Sequence, residues 1–408
     1  VGTVGWVDKV TIGEVTYDFE VTCTTDCYVA PGGSDTNPGS ADLPFKTIQH
    51  GVDSVSAGGT VLVGPGTYLQ LDPGNSQAAI KITKALTLKS THGAAATIIE
   101  VADGTLTRGI QVIGTDLGEV TIDGFTVQGF TEGGILQGMA AGPGTTVHVL
   151  NNVVTPRGSY LRNGIQVSGD NSTVKGNTVY GARLTADWAS TAIHVVNAKN
   201  VTVEDNIIHG DTAYGLDTGI GVTHWSTTIG TIGNITIRNN TITNADSPLF
   251  FHNQYAASKV DGVTFEKNKV TSFKEAVSTT VTGSTANIDA SPNWWGTPAG
   301  PKAGSVMAGV PYAPWCANEA CTEFANENGL IITLPAGGNL QAAIDAVTGP
   351  ATIIVPAGNY NLTGGYLINK PNLIITLMNG VVIQNNSPCF TISADYVTIN
   401  TESIGGAK

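Results

Sequence analysis

The sequence predicts an all-β chain wound as a parallel β-helix. Three observations carry that expectation: a short alternating pattern recurs through the middle of the chain, a second short apolar strand precedes each copy, and no helical period separates them. The copies read Val120-Thr-Ile-Asp-Gly-Phe-Thr-Val127, Val147-His-Val-Leu-Asn-Asn-Val-Val154, Ser172-Thr-Val-Lys-Gly-Asn-Thr-Val179, Val201-Thr-Val-Glu-Asp-Asn-Ile-Ile208, Ile235-Thr-Ile-Arg-Asn-Asn-Thr-Ile242 and Val263-Thr-Phe-Glu-Lys-Asn-Lys-Val270. Aligned on Phe125, Asn152, Asn177, Asn206, Asn240, Asn268 and Asn293, they lie 27, 25, 29, 34, 28 and 25 residues apart, one coil each.

Within a copy, Val, Ile and Phe alternate with Thr, Lys, Glu or Arg, the period-2 signature of a strand with one buried face. The preceding strands are Gly109-Ile-Gln-Val, Gly134-Ile-Leu, Gly164-Ile-Gln-Val, Ala192-Ile-His-Val, Gly219-Ile-Gly-Val and Leu249-Phe-Phe. A leucine-rich repeat of similar period would show a helical return leg, which is missing. The recurring Asn is expected at a bend, where Asn tolerates the left-handed conformation and its amide bonds to the copies stacked on it.

The ends follow from the same logic. A solenoid must cover its first coil, and residues 42–55 read as a capping helix, with Asp42 as N-cap, Pro44 in the first turn, and Phe45, Ile48, Val52 and Val55 on one stripe. Thr60-Val-Leu-Val-Gly-Pro-Gly-Thr-Tyr68 reads as the first coil. The unit returns 292 residues later: Ile48, Gln49, Val52, Asp53, Val55, Thr60, Val63, Gly66 and Tyr68 match Leu340, Gln341, Ile344, Asp345, Val347, Thr352, Val355, Gly358 and Tyr360. The expected organisation is therefore an N-terminal strand segment over 1–27, a first β-helix over 28–315, a linker over 316–329 and the start of a second β-helix over 330–408. The last coil is expected to be covered by further chain or by another subunit, because an open rung exposes strand edges and core. Segment 1–27 reads as two or three strands, either a lid or a strand offered to a neighbouring subunit.

Composition sets the compartment and excludes some partners. Only 12% of residues are charged, 51 are glycine, and the net charge of −13 opposes nucleic-acid binding. No apolar run is long enough to span a membrane. Cys23 with Cys27, and Cys316 with Cys321, are spaced to close small disulfide loops in an oxidising space, so the chain is expected outside the cell or on its surface. Cys389 is left over. Asn-x-Ser/Thr sequons at Asn171, Asn200, Asn234, Asn239, Asn361 and Asn385 are expected by chance in a chain so rich in Asn and Thr.

The stretch Tyr28-Val-Ala-Pro-Gly-Gly-Ser-Asp-Thr-Asn-Pro-Gly-Ser40, with Pro44-Phe-Lys-Thr-Ile48 and Gly64-Pro-Gly-Thr-Tyr68, resembles the N-terminal signature of the pectate-lyase-like superfamily of right-handed parallel β-helix proteins. Asn293-Trp-Trp-Gly-Thr-Pro-Ala-Gly-Pro301 and Pro311-Tyr-Ala-Pro-Trp315 resemble a terminal motif of secreted or surface β-helix proteins, with Trp294, Trp295 and Trp315 expected to plug the last coil. The resemblance implies a right-handed helix but not one chemistry, since the superfamily includes lyases, hydrolases, epimerases, tailspikes and adhesins.

A lyase of this kind would bring an acidic Ca²⁺ site and an outward Lys or Arg as base. The outward positions Gln166, Ser168, His194, Val196, Gly221, Thr223, Phe250 and His252 contain neither base. Ca²⁺ is thus the one cofactor the resemblance would bring, and none is otherwise expected. The hydrolase Gly-His-Gly is broken at His209-Gly210-Asp211. Candidate carbohydrate-binding residues are Trp188, His194, His209, Asp211, Tyr214, Asp217, His224, Trp225, His252 and Tyr255, which concentrate aromatic, imidazole and carboxylate groups over coils 183–255. The leading expectation is a non-catalytic surface structural, filament or adhesin-type protein that binds a polysaccharide or cell-surface glycan and neighbouring copies of itself. The alternative is a secreted polysaccharide lyase or glycoside hydrolase acting on the 183–255 face.

Overall fold

The computed structural model describes residues 9–12, 15–18, 23–70, 77–101, 107–138, 144–159, 161–183, 190–253, 255, 257–281, 283–384 and 388–401. The chain divides into two compact units, one of residues 1–263 and 272–287, the other of 264–271 and 288–408.

Each coil of the first unit contributes three short strands. One coil runs through Gly118–Asp123, Thr126–Gln128 and Gly133–Gln137, and the next through Thr145–Leu150, Val153–Thr155 and Asn163–Val167. Every strand pairs in parallel with its counterpart one coil on: Val120 opposes Val147, Val127 opposes Val154, and Ile135 opposes Ile165. Three parallel sheets result, named first, second and third in the order the coil visits them. The alternation seen in the sequence places Val120, Ile122, Val127, Val149, Val154, Val174, Val179, Val203 and Ile208 wholly inside, each contributing about 1.5–3 kcal/mol of burial. The eight-residue motif is thus two strands that meet at a corner, one in the first sheet and one in the second.

That corner is where the recurring Asn sits. Asn152 N–H donates to Asn177 Oδ1 at 2.9 Å, Asn177 N–H to Asn206 Oδ1 at 2.9 Å, and Asn206 N–H to Asn240 Oδ1 at 3.0 Å. Each Nδ2 also donates to a backbone carbonyl of the preceding coil: Asn152 to Ile122, Asn177 to Val149, Asn206 to Val174 and Asn240 to Val203, all at 2.8–3.0 Å. The stacking expectation holds, but the conformational one needs correcting. The left-handed residue is the one before: Gly124, Asn151, Gly176, Asp205 and Asn239 have φ between 55° and 82°. They turn the chain so that the following amide is directed inward, where only a side chain that both donates and accepts can satisfy the corner.

Three of the sequons have a structural cause rather than a chance one, while Asn385 lies outside the described residues. Asn171, Asn200 and Asn234 are left-handed turn residues ahead of the first sheet, and their exposed amides bond to one another at 3.1 and 2.8 Å. Two residues on, Thr173, Thr202 and Thr236 form one column in register.

The start of the first unit departs from expectation. Lys9–Ile12 and Val15–Asp18 form an antiparallel pair, and the rest of 1–22 lies outside the described residues. Asp26–Val29 is already a rung, paired in parallel with Thr60–Val63, and the Cys23–Cys27 disulfide is formed beside it. The helix, α1, is Ile48–Ser54 rather than 42–55, and its N-cap is Thr47, not Asp42. The carboxylate of Asp35 explains the difference. It accepts the Lys46 and Thr47 N–H groups, both at 2.9 Å, and the Thr47 hydroxyl at 2.8 Å, holding 45–47 extended. Phe45 bridges Val29 instead of turning into the helix. Burial pushes the Asp35 carboxyl upward, but these bonds outweigh it and hold it below its usual range.

In the second unit, Asn268 N–H donates to Asn293 Oδ1 at 2.8 Å, and Trp295 lies buried with its ring 5.9 Å from that of Phe265. Trp315 does not join that plug; it opens the next sheet, paired with Ala325 and held by Nε1–H donation to the Pro298 carbonyl at 2.9 Å. The Cys316–Cys321 disulfide forms next to it, and Cys389 is free and exposed. Gly329–Thr333, Ala351–Val355, Leu373–Leu377 and Thr398–Thr401 then pair in parallel, with two further two-stranded parallel sheets. A second core of Leu340, Ile344, Ile353, Val355, Tyr360, Ile368, Leu373 and Ile375 lies among them. Helix α2, Leu340–Ala346, repeats α1 in detail. Gln49 Nε2 donates to Asp53 at 2.9 Å and to the Lys81 carbonyl at 3.1 Å while its Oε1 accepts Lys81 N–H. Gln341 does the same with Asp345 and Leu367 at 2.8 and 3.0 Å.

Replacing Asn177 with Ala strands the Asn152 N–H and the Val149 carbonyl in a dry corner. An unsatisfied buried group costs about 1–3 kcal/mol, so Asn177→Ala should lower unfolding free energy by roughly 3 kcal/mol in urea titrations; a loss under about 0.5 kcal/mol would refute the corner's role.

Candidate functional site

Parallel register sets which residues become neighbours. On the third sheet the columns run Arg108, Gly133, Asn163, Thr191, Thr218, Ser247 and Gln111, Leu136, Gln166, His194, Gly221, Phe250, Ser278, with Val196, Thr223, His252 and Thr280 beside them. Strand spacing is about 4.8 Å, so residues some 30 positions apart in sequence lie side by side. Small residues keep this sheet close to the second: a Cβ on Gly164 would collide with the Ala192 carbonyl and the Val179 side chain.

The predicted residues divide among several places. His194, Trp225 and His252 come together on the third sheet. The Trp225 ring meets His194 edge-on at 5.3 Å and His252 at 6.0 Å, and His252 stacks on Phe250 at 6.4 Å. His194 is only 6% exposed; its Nδ1–H donates to Asn163 Oδ1 at 3.3 Å, and Nε2 accepts the Thr223 hydroxyl at 2.7 Å. Burial, with the nearby His252 charge second, pushes its pKa down to about 4, so the ring is neutral near pH 7. Burial also holds His252 below its ordinary value, and its Nδ1 lies 2.8 Å from Thr280 Oγ1.

The other candidates serve the scaffold. His224 is fully buried, its Nε2–H donating to the Gly230 carbonyl at 2.6 Å, so it closes its own loop rather than facing a ligand. His209 belongs to the second sheet, where it stacks on Tyr180 at 5.0 Å. Asp211 caps a turn by accepting Ala213 and Tyr214 N–H groups at 2.8 and 3.0 Å, leaving Tyr214 exposed. Asp217 accepts both Ser190 N–H and Oγ–H at 2.9 and 3.0 Å and pairs with Arg183 at 2.6 Å. Arg183 also pairs with Asp246, which Lys274 reaches at 2.7 Å. Tyr255 is on the loop after the aromatic strand, partly exposed. Trp188 lies outside the described residues. Among the described residues, no three His, Cys, Asp or Glu side chains converge in a way that could hold a metal ion.

Sequence reasoning missed the other end of the same sheet. A cleft of about 180 Å³ is lined by Arg108, Gln111, Glu132, Arg162, Asn163 and Gln166, with Leu136, Gln137 and Gly138 completing its wall. Glu132 bridges two guanidinium groups, accepting from Arg108 Nε and Arg162 Nη1, each at 3.0 Å, and from Thr107 Oγ1 at 3.2 Å. Asn163 joins the cleft to the cluster of His194, Trp225 and His252 through its bond to His194. The signal was present: Arg108-Gly-Ile-Gln and Arg162-Asn-Gly-Ile-Gln repeat a cation just ahead of the Gly-Ile strand.

Since the folded pKa of His194 lies below the unfolded value of about 6.5, the unfolded chain binds more protons between the two. Stability should fall as pH drops from about 6.5 towards about 4 and level off below. His194→Gln should remove much of that slope in denaturant unfolding followed across this range. An unchanged slope would contradict the burial of a neutral ring.

Residues 108–294 match the family described as right handed beta helix region. The chain is 46% identical to an uncharacterized protein YwoF of Bacillus subtilis over 41 residues, 10% of this chain and 9% of that one. It is 42% identical to pectate lyase PEL9 of Emericella nidulans over 50 residues, 12% of each chain. The matched segments thus span about a tenth of the length of these relatives. Among solved structures, XylC in complex with xylose is similar at a TM-score of 0.40 and 10% identity, over 91% of this chain and 86% of that one. PfbA, a surface adhesin of Streptococcus pneumoniae, is similar at 0.34 and 13%, over 86% and 78%. Over residues 108–294, just under half of the chain, the coiled repeats are similar to right-handed β-helix proteins.

Proposed function

We propose that this is a secreted or cell-surface β-helix protein of adhesin type, which holds a glycan along the outer face of its third sheet. The observation that supports this reading is the pairing of two features on one sheet. Arg108, Glu132, Arg162, Asn163, Gln111 and Gln166 supply planar, bidentate polar groups in a cleft, and Trp225, Phe250 and His252 supply half-buried rings further along. Planar amides, guanidiniums and carboxylates suit the vicinal hydroxyls of a sugar, and aromatic rings suit its apolar faces. The two disulfides favour an oxidising compartment.

Binding to a broad glycan array, followed by titration of the best ligand, tests the reading. Trp225→Ala should weaken that ligand at least tenfold. An array without any bound glycan would remove the proposal, and new reducing ends or double-bond absorbance in the same mixtures would replace binding by catalysis.

A further inference from the structure

The second unit holds a pocket of its own, of about 380 Å³, a size that suits one small organic molecule. Trp315, Ala317 and Ala325, all buried, form its floor, and Pro298, Leu330 and Pro350 form its walls. Both are fixed by contacts within the chain. The Trp315 indole N–H donates to the Pro298 carbonyl at 2.9 Å. The chain then crosses the indole so closely at Gly300, where φ is 79°, that a Cβ there would lie 2.5 Å from the ring. Asn326 and Gly329 pair across a two-residue hairpin turn, and Leu330 N–H, just beyond it, donates to the Pro350 carbonyl at 3.1 Å. Gly329 has φ of 101°, and a Cβ on it would meet that carbonyl at 1.9 Å, so the turn is held against Pro350 by a position only glycine can fill.

Among the described residues, two polar side chains other than the indole line this pocket, Asn326 and Glu327, and no Lys, Arg or His does. Glu327 is the first residue of the hairpin turn and stands exposed at the rim; among the described residues no ion pair or hydrogen bond engages its carboxylate. Asn326 Oδ1 accepts Asn328 N–H at 2.9 Å, which holds the amide and leaves the second lone pair of that oxygen. An apolar hollow with an unpaired carboxylate at its mouth matches a molecule with an apolar body and a cationic head. The body leaves water against Trp315 and Leu330, and an ammonium head carries three N–H donors for Glu327 and Asn326. An anionic head would meet like charge at the same place. We infer that this pocket binds a small organic ammonium ion of about the size of an arylalkylamine. It shares no residue with the third sheet and does not rest on the glycan reading.

The test uses the full chain and three probes that share one apolar body: phenethylamine, phenethyl alcohol and hydrocinnamate, each titrated at low salt and followed by ligand-observed NMR. The amine should bind about threefold or more tighter than the alcohol, the scale of an exposed ion pair, and the carboxylate should bind weakest. Added salt should narrow the gap between amine and alcohol. Glu327→Gln should make those two equal, and Ala299→Trp, which fills the mouth from an exposed lining position, should weaken all three. Equal binding of amine and alcohol to the unaltered chain, a preference for the carboxylate, or no saturable binding of the amine would each overturn the inference. Amine binding that survives both substitutions would overturn it as well, because the probe would then sit elsewhere.

Discussion

The buried amide column at the corner between the first and second sheets is the constraint from which the rest follows. A coiled chain must bend after each strand, and the bend removes backbone N–H and C=O groups from the ladders on either side. In an interior without water these groups need partners. Asn152, Asn177, Asn206 and Asn240 provide donors and acceptors in one side chain, each satisfying the coil next to it. Because every amide must meet its neighbour, one coil cannot slip against the next. The apolar alternation alone would accept a slip of two residues, which keeps the same face inward; the amides would not.

Fixed register carries over directly to the surface. Arg108, Asn163 and His194 belong to three different coils, yet the pairing of their strands sets them along one groove, with the Gly133 rung between Arg108 and Asn163 and the His194 rung next after Asn163. Loop residues have no such tie. Asp211 and Asp217 are engaged by local N–H groups and by Arg183, which makes them part of the frame that carries the sheet. The groove therefore combines a rigid floor with side chains positioned by distant sequence. The half-buried aromatic rings around Trp225 and the ion pairs around Glu132 have independent supports.

Much of the fold was legible because its signals are local and repeated: the alternation, the coil spacing, and the second start at Leu340 can each be read from adjacent residues. The helix boundary was not legible, because it is set by Asp35, which reaches across to Lys46 and Thr47 from a loop no periodicity describes. The site was legible only in part. His194, Trp225 and His252 were picked by residue type, and type could not distinguish His224, which is sealed inside its loop, from His252, which is not. The cleft was overlooked for a geometric reason: at the entry of each third strand the chain turns a corner, so the outward column begins one residue ahead of the glycine, at Arg108 and Asn163, where strict alternation would not place it.

The matched arrangements around Gln49 and Gln341 have a consequence for how such chains are assembled in evolution. Each is a self-contained starter: a short helix, a glutamine that clasps the backbone of a nearby strand, and a tyrosine tucked under the first bend, with hydroxyl bonds to the Gly64 and Pro356 carbonyls at 2.8 and 2.9 Å. Nothing in these bonds depends on what is stacked further along. A gene segment encoding such a starter brings its own seal wherever it is copied, so chains of this type can gain coils in whole blocks.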